Sequence, residues 1–269
     1  MKSIFITGAT GGIGAATARL FSQEGWFVGL FDLHEEALQR LSASLPGPSC
    51  YAVMDVRKEE EVRKAMVLFG EQTQKQMHVL LNNAGLLEMG FFDELPLEKQ
   101  KRLVDVNLWG VMNVTYHALP LLKNTEGACV VNMSSASAIY GTPEVAVYSA
   151  SKHAVRALSE ALELEFERHG IHVCAMMPLI VRTPMVTDAP YRAWSFGQFG
   201  YDLEAEDVAL AIWKAVHHPR THYKIPFKLR FLVWIYDHFP FLRKWLMRRL
   251  TLAPEIRKQK KTSNKILKI

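Results

Sequence analysis

The chain has 269 residues, of which 49% are apolar, and a formal net charge of +5. A chain of this length and apolar content can bury the core of one α/β domain. The first apolar run begins at residue 2, which leaves no room for a secretory signal peptide, and the C-terminal apolar runs are broken before the ~20 residues that a transmembrane helix needs. We therefore expect a cytoplasmic protein.

The first predicted element is a strand over residues 2–7, which leads into a glycine-rich turn and then a helical pattern. The glycines are spaced as G-x-x-x-G-x-G, and the candidate cofactor-binding residues of the turn are Gly8, Thr10, Gly11, Gly12, Ile13 and Gly14. Glycine lets the backbone approach a pyrophosphate closely, and the helix N-terminus supplies unpaired N–H groups. The pattern indicates a phosphate-binding turn, with a tight structural turn as the alternative.

The second apolar run, residues 26–31, ends at Asp32, about 20 residues beyond the glycines. An acidic side chain there accepts hydrogen bonds from the adenosine ribose and repels a 2′-phosphate. Neither Thr10 nor Leu33 offers a positive charge for an extra phosphate, so NAD is predicted over NADP. The alternative is that Asp32 caps a helix starting near His34, and the two roles can coexist.

Further strand-like runs near Tyr51, Val79, Val130 and Val173 alternate with helical segments. Alternation of this kind is typical of βαβ units with right-handed crossovers. We predict an α/β fold with a doubly wound, Rossmann-type parallel sheet flanked by helices, followed by a C-terminal helical extension. Ligands of such sheets bind beyond the carboxyl ends of the strands.

Tyr148 and Lys152 stand four residues apart in a predicted helix and so share one face. A cation within ~4–6 Å favours the phenolate, which would make the tyrosine a usable acid and base near neutral pH. An isolated pair of this kind is more often a solvated surface pair.

Several motifs in the same order resemble the short-chain dehydrogenase/reductase superfamily in its compact single-domain form. The resemblance covers roughly residues 2–225 and includes the glycine turn, the Asn-Asn-Ala-Gly segment at 82–85 and the Tyr-x-x-x-Lys pair. It implies cofactor contacts at Asp55, Val56, Asn83, Ala84, Gly85, Pro178, Val181 and Thr183, in addition to Asp32, Leu33, Tyr148 and Lys152. It also implies catalytic roles for Asn107, Ser135, Tyr148 and Lys152.

The resemblance further implies a mechanism in which Tyr148 exchanges a proton with the substrate oxygen while a hydride passes to or from the nicotinamide. Lys152 would lower the tyrosine pKa and bind the nicotinamide ribose, and Ser135 would hydrogen-bond the substrate oxygen. Asn107 would hold a water that links Lys152 to solvent. Structural alternatives are that Ser135 caps or terminates a strand and that Asn107 only satisfies backbone groups.

One position departs from the family pattern. The family usually has glycine after the proline of the sixth strand, whereas this chain has Leu179 after Pro178. Leucine adds a side chain where backbone would lie against the nicotinamide. An unusually shaped pocket is expected there.

The three cysteines, Cys50, Cys129 and Cys174, lie in or beside predicted strands and form no C-x-x-C pair. They are interpreted as buried apolar residues in a reducing compartment. The histidines show no metal-binding spacing, and His217 and His218 are expected to end a helix. No metal is predicted.

Charge is distributed unevenly along the chain. Residues 1–219 carry 18 Lys/Arg and 25 Asp/Glu, whereas residues 220–269 carry 14 and 2. We divide the chain into a catalytic domain (1–225), an amphipathic basic and aromatic helical extension (226–250) and a disordered basic tail (251–269). The extension suits a membrane interface, with a pocket cover or an oligomer contact as alternatives. The acidic body and the absence of a motif argue against nucleic acid.

Substrate and assembly are the least specified properties. A long aromatic-rich connection from residue 183 to 201 is consistent with a lid over an apolar pocket. A lipophilic alcohol or ketone, such as a steroid, a retinoid or a long-chain acyl compound, is the predicted substrate. By family analogy the protein is a homodimer or homotetramer. The alternative function is a non-catalytic NAD-binding regulatory protein, or a membrane-peripheral protein, of the same fold.

Overall fold

The core of the computed structural model is a seven-stranded parallel sheet, and the structure describes residues 1–254 and residue 256. The strand order is β3-β2-β1-β4-β5-β6-β7. The strands are β1 Ser3–Thr7, β2 Phe27–Asp32, β3 Ser49–Val53, β4 Val79–Asn82, β5 Cys129–Met133, β6 His172–Pro178 and β7 His222–Ile225. The predicted doubly wound, Rossmann-type sheet is confirmed.

Helices cover both faces of the sheet, and a helical part follows β7. They are α1 Gly12–Gln23, α2 Glu35–Ser44, α3 Glu59–Gln72, α4 Leu97–Val104, α5 Gly110–Lys123, α6 Ala146–Phe166, α7 Pro184–Thr187, α8 Trp194–Phe199, α9 Ala205–His217, α10 Phe227–His238 and α11 Arg243–Thr251. As expected, α9 ends at His217, one residue before His218 and Pro219.

Each face of the sheet has its own apolar core, because successive side chains of a strand point to opposite faces. Ile4 and Ile6 of β1 pack in the cluster that includes residues of α1 and α9, whereas Phe5 packs in the cluster that includes residues of α3 and α5. Strands buried on both faces are almost wholly apolar. This is why the runs near Ile4 and Val28 were recognisable in the sequence.

The seventh strand was missed by the sequence analysis. Residues 222–225 read His-Tyr-Lys-Ile, and all four are only half-buried at the edge of the sheet. A short edge strand of this composition has neither the alternation nor the apolar run that indicates a strand. It pairs with β6 over residues 175–178, so Ile225 lies beside Pro178 at the cavity edge of the sheet.

The C-terminal helices pack on the side of the molecule where β6 and β7 end. Leu229 and Val233 of α10 are buried against Ala138, Ile139 and Met177. The opposite side of α10 is exposed, and α11 contacts α8. Within the described residues no helix combines the length and the apolar character that crossing a membrane requires. The predicted disordered tail, 251–269, falls mostly outside the described residues.

Candidate active site

A cavity of about 420 Å³ lies at the carboxyl ends of the strands. It is lined by nearly all of the predicted site residues: Gly8, Thr10, Gly11, Gly12, Ile13, Asp32, Leu33, Asp55, Val56, Asn83, Ala84, Gly85, Ser135, Tyr148, Lys152, Pro178, Val181 and Thr183. Gly14 and Asn107 are the two predicted residues that do not line it. The fold thus brings residues from seven segments of the chain to one edge of the sheet, as the topology predicts.

The glycine turn approaches neighbouring backbone so closely that side chains would not fit. A Cβ on Gly8 would lie 2.8 Å from the Ala84 Cα, and the φ of Gly8 is +63°. A Cβ on Gly12 would lie 2.9 Å from Cγ2 of Thr183. Gly14 is different, since its Cβ would lie 2.2 Å from the Gly8 carbonyl oxygen. Gly14 therefore seats α1 against the turn and does not face the cavity.

Thr7 locks the glycine turn to the loop that follows β4. Its hydroxyl accepts hydrogen bonds from the backbone N–H groups of Asn83 and Ala84, both at 3.0 Å. The Asn83 amide in turn donates to the carbonyl oxygens of Thr7 and Gly8 at 3.1 and 2.8 Å. The sequence analysis assigned Thr7 no separate role, because its contacts are made with residues 76 and 77 positions away.

Asp32 faces the glycine turn. One carboxylate oxygen accepts from the backbone N–H and the hydroxyl of Thr10, at 2.8 and 2.6 Å. The other accepts from the backbone N–H of Leu33 at 2.7 Å. No side chain caps α2, which begins at Glu35, so the alternative in which Asp32 caps that helix is wrong. An ionised carboxylate has about four lone-pair sites, so Asp32 keeps acceptor capacity for ribose hydroxyls.

Asp55 is held by a neighbouring cation that the sequence analysis did not single out. Its carboxylate binds the Arg57 guanidinium in a bidentate manner, with contacts of 2.6 to 3.1 Å. The hydrogen bond to Arg57 lowers the pKa of Asp55 below its ordinary value, so this side chain is ionised at neutral pH. Arg57 and Arg102 both line the cavity.

Tyr148 and Lys152 lie one turn apart on α6, with the Lys152 Nζ 5.7 Å from the centre of the tyrosine ring. The ammonium donates to the Met133 carbonyl oxygen at 2.8 Å, which ties α6 to the end of β5. Ser134 reinforces this link by donating to the Lys152 carbonyl oxygen at 2.9 Å. Lys152 is therefore buried and Tyr148 is half-buried at the sheet edge, so the two do not form a solvated surface pair.

Burial changes the acidity of both groups. It raises the pKa of Tyr148, an effect that a hydrogen bond from Ser135 opposes, and it lowers the pKa of Lys152 to about 8. The sequence analysis expected Lys152 to lower the tyrosine pKa, whereas desolvation dominates in the protein without ligands. At neutral pH the phenol is protonated and the ammonium is charged, which is the state needed to donate a proton.

Ser135 begins the short 3₁₀-helix Ala136–Ala138, and its hydroxyl oxygen accepts from the Ser137 N–H at 3.2 Å. The capping alternative for Ser135 is thus realised in the structure. Capping uses a lone pair of the oxygen and leaves the hydroxyl hydrogen free to donate. A structural and a chemical role are compatible at this residue.

Asn107 lies in a π-helical turn, Asp105–Trp109, between α4 and α5. Its amide accepts from the Leu86 N–H at 2.7 Å and donates to the Leu86 carbonyl and to Ser151 at 2.9 and 3.2 Å. The side chain is fully buried. Asn107 thereby fixes the loop after Gly85, next to Lys152. Single π-turns inside helices frequently occur at functional sites.

The far end of the cavity is apolar and is closed by the segment after Thr183. Met185, Val186 and Phe196 line it from α7, α8 and their flanks. Leu179, the departure from the family pattern, also packs against the cluster that holds α10, and its φ is not in the left-handed region. The leucine therefore connects the pocket wall to the C-terminal helices.

We define the lid as residues 184–200, and one buried carboxylate fixes it to the body. Oε2 of Glu144 accepts from the Tyr191 hydroxyl at 2.5 Å and from the Trp194 N–H at 3.1 Å. Glu144 lies just before α6, in a left-handed conformation with φ of 65°. Nothing in the sequence pattern indicated this residue, because both of its partners are at least 47 positions away.

The parallel sheet, the uncapped N-terminus of α1 and the cavity above them together define a nucleotide-binding α/β protein. The family model described as short chain dehydrogenase matches residues 2–193. The chain belongs to the short-chain dehydrogenase family, and it is an oxidoreductase that acts on a CH–OH group with NAD or NADP.

Individual relatives and a solved structure agree with this assignment. The chain is 33% identical over 190 residues to cyclohexanol dehydrogenase of Acinetobacter sp. (strain SE19), which covers 70% of this chain and 76% of the relative. It is 37% identical over 190 residues to meso-2,3-butanediol dehydrogenase of Serratia marcescens, at coverages of 70% and 75%. A short chain dehydrogenase/reductase from Burkholderia phymatum, crystallised in complex with NAD, superposes with a TM-score of 0.81 at 25% identity, covering 90% of this chain and 95% of that one.

The residues present fit a nicotinamide dinucleotide. The first turn of α1 contains no acidic residue, and no side chain among the described residues caps it, so an anion can bind to its free N–H groups. Because Gly8 has no side chain and lies against Ala84, only backbone is present at Gly8 beside the N-terminus of α1. Lys152 uses one of its three N–H donors on Met133 and keeps two for a ribose.

Proposed function

We propose that this protein is an NAD-preferring dehydrogenase that interconverts a lipophilic secondary alcohol and its ketone, with Tyr148 as the general acid and base. The observation that best supports this proposal is that Tyr148 lines one continuous cavity. Glycine backbone and Asp32 line one end of that cavity, and apolar side chains of the lid line the other. A substrate carbonyl at Tyr148 would therefore be adjacent to the nicotinamide while its hydrocarbon part lies under the lid.

The proposed chemistry assigns one task to each polar group. When bound, the nicotinamide supplies or accepts the hydride at the carbon that bears the substrate oxygen. Tyr148 donates its proton to that oxygen in reduction and accepts one in oxidation. The hydroxyl hydrogen of Ser135, which is directed to Tyr148 in the protein without ligands, donates to the same substrate oxygen and stabilises its developing negative charge.

Lys152 and Asn107 support the proton transfer. The Lys152 ammonium stabilises negative charge on the phenol oxygen and donates to the nicotinamide ribose. Both Asn107 N–H groups are occupied, but its carbonyl oxygen has a second lone pair. We place there the water that connects Lys152 to solvent.

Preference for NAD rests on Asp32. Its carboxylate is fixed against Thr10 at the ribose end of the turn, where a 2′-phosphate would meet a negative charge. Arg57, one candidate counter-charge in the cavity lining, is engaged with Asp55. Asp32→Ala should lower the ratio of kcat/KM for NAD over NADP at least about tenfold, or about 1.4 kcal/mol. An unchanged ratio would refute this assignment.

We further propose that α10 and α11 lie on an anionic membrane surface. The exposed side of these helices carries Phe227, Phe231, Trp234, Phe241 and Trp245, with exposed fractions from 50 to 77%. Residues 226–250 contain six Lys/Arg and one Asp. Aromatic rings suit the acyl boundary, and each basic residue near anionic headgroups contributes about 1 kcal/mol.

Vesicle binding tests the membrane proposal without reference to activity. Phe231→Glu combined with Trp234→Glu should abolish co-sedimentation with phosphatidylcholine vesicles that contain phosphatidylserine. Val67→Glu, at an exposed apolar residue of α3, is the matched control and should leave binding unchanged. Equal binding by both variants would refute the membrane contact and leave the dehydrogenase proposal intact.

We also propose a cytoplasmic homodimer or homotetramer that pairs through α6 and the neighbouring α5. Trp109, Met112 and Tyr116 are exposed on or next to α5, as is Leu164 on α6. Exposed apolar side chains on adjacent helices are typical of an interface between copies. Analytical ultracentrifugation of wild type and Tyr116→Glu tests this, with a smaller species expected for the variant.

The dehydrogenase proposal is tested by a panel of cyclic, steroidal and long-chain alcohols with NAD and NADP in parallel. We expect NADH formation that increases with substrate apolarity, because Met185, Val186 and Phe196 of the lid line the substrate end of the cavity. Measurable NAD binding without turnover on any member would instead favour a non-catalytic regulatory protein.

A further inference from the structure

Two cysteines and a histidine meet at the end of the sheet opposite the active site. Cys129 begins β5, and His172 and Cys174 lie on β6, with Cys129 paired to His172 in the parallel register. The two sulfurs and one imidazole nitrogen all lie within 4.8 Å of one another. We call these residues the Cys129–His172–Cys174 cluster. Two residues that line the cavity, Ser135 just after β5 and Pro178 at the end of β6, lie at the other ends of the same strands.

The imidazole of His172 is oriented by a carboxylate. Its Nδ1–H donates to Oε1 of Glu163 at 2.6 Å, and the other oxygen of Glu163 accepts from the Val173 N–H. Because an ionised carboxylate can only accept, the proton belongs on Nδ1. In the neutral imidazole, Nε2 then carries a lone pair that is directed away from Glu163 and can bind a metal ion.

That lone pair has no hydrogen-bond partner within the described part of the chain, although Nε2 is buried. Buried polar atoms are usually satisfied, and an exception calls for an explanation. The thiols of Cys129 and Cys174 are buried, and they lie within 4.8 Å of a nitrogen of the same imidazole ring. In the absence of an ion, the hydrogen bond with Cys129 and burial raise the pKa of the Cys174 thiol, so this thiol is not a reactive nucleophile.

We propose that the Cys129–His172–Cys174 cluster binds one Zn²⁺ ion, with a water in the fourth position. Two thiolates and an imidazole are a ligand set that zinc prefers, and a histidine ligand almost always donates its other N–H to an oxygen such as that of Glu163. With Zn–S near 2.3 Å and Zn–N near 2.0 Å, tetrahedral ligand atoms lie roughly 3.5–3.8 Å apart. The ligand atoms, which lie within 4.8 Å of one another, reach this geometry by moving together by at most about 1.3 Å.

Charge balance also favours the ion. Binding releases the two thiol protons to solvent, so one Zn²⁺ and two thiolates form a neutral unit with a neutral imidazole. A neutral unit can be buried without an uncompensated charge. The sequence analysis expected no metal, because the ligands are separated in the chain and only the pairing of β5 with β6 brings them together.

The ion would join the N-terminal parts of β5 and β6, the two strands that lead to Ser135 and Pro178. Its role is therefore structural, since no ligand touches the catalytic cavity. The inference is independent of the dehydrogenase proposal, and its test requires no substrate.

The direct test uses the wild-type protein, reduced and freed of metal, then loaded with one equivalent of Zn²⁺. X-ray absorption at the zinc edge should show two sulfur neighbours near 2.3 Å and nitrogen or oxygen neighbours near 2.0 Å. A first shell of nitrogen and oxygen alone would overturn the proposal, because it would place the ion on surface histidines.

Variants assign the ligands by competition with a chromophoric chelator. Cys129→Ser and Cys174→Ser should each weaken zinc binding at least about 100-fold, and Glu163→Gln about 10- to 100-fold. Cys50→Ser, at the third cysteine, is the matched control and should bind as wild type does. Equal affinities in all four variants would overturn the proposal, as would a Cys129–Cys174 disulfide in protein that takes up no zinc.

Discussion

The two ends of the cavity are built from different interactions. At the glycine end, Thr7 and Asn83 make four short hydrogen bonds with neighbouring backbone, and Gly8 touches Ala84. At the apolar end, side chains pack under a lid that Glu144 fixes through two hydrogen bonds. Backbone contacts tolerate no added atom, whereas side-chain packing accepts volume-conserving changes. The cofactor end therefore tolerates few substitutions and little change of shape, whereas the substrate end tolerates substitutions that conserve side-chain volume.

The largest expected effect comes from adding one methyl group at the rigid end. Gly8→Ala should lower the free energy of unfolding by about 2–5 kcal/mol, since it combines a left-handed backbone with a Cβ 2.8 Å from the Ala84 Cα. Gly127→Ala is the matched control, because Gly127 has a φ of +65° and open space around its Cβ. Urea denaturation of both variants checks this. Equal losses of unfolding free energy in the two variants would mean that the close contact at Gly8 does not contribute to the effect.

Proton transfer joins the two ends, and it should depend on the charge of Lys152. The pKa of this ammonium is lowered to about 8 by burial, so the positive charge is present below pH 8 and lost above it. The rate of ketone reduction should fall by up to about tenfold per pH unit above that value.

In Lys152→Arg the guanidinium stays charged, so the decline should move beyond pH 10. Steady-state profiles from pH 6 to 10 provide the measurement. A decline at the same pH in the variant would show that another group titrates.

The hydroxyl group of Thr7 should contribute more to the free energy of unfolding than the volume of its side chain does. Thr7→Val leaves the N–H groups of Asn83 and Ala84 without their acceptor, and should cost about 2–3 kcal/mol of unfolding free energy. Thr17→Val serves as the control, because this equally buried hydroxyl only donates to a helical carbonyl, and should cost less than about 1 kcal/mol. Thermal unfolding of the pair decides whether the rigid end depends on this hydrogen-bond network.

The smallest effect is expected at the lid. Tyr191→Phe removes one of the two hydrogen bonds to Glu144 and should raise the substrate KM about 3- to 10-fold, with the NAD Kd unchanged. Thr187→Val also removes a lid hydrogen bond, but one made within the lid to Asp188, and should leave KM as it is. An altered NAD Kd in Tyr191→Phe would contradict the separation of the two ends.

The same contrast explains what the sequence could predict. Gly8, Asp32, Tyr148 and Lys152 are required by local geometry or by reaction chemistry at fixed spacings, and the fold placed all four on one cavity. The sheet followed from apolar runs that are buried on both faces. The chemical roles of the four cavity residues remain predictions.

Features that depend on distant packing could not be read from the chain. The edge strand β7 has no apolar pattern, and Glu144 meets the lid only because the fold brings residues 144 and 191 together. The pKa of Tyr148 was predicted in the wrong direction for the protein without ligands, because the extent of its burial is a property of the packed site. Leu179 could be explained only once α10 was seen against it.

The central claim is that Tyr148 performs the proton transfer in a cavity whose cofactor end does not depend on it. Tyr148→Phe, which removes only the hydroxyl, tests this most directly when NADH binding and single-turnover reduction are measured on the same sample. We predict an NADH Kd within about twofold of wild type and a rate at least about 10³-fold lower. Reduction within about tenfold of the wild-type rate would contradict the account.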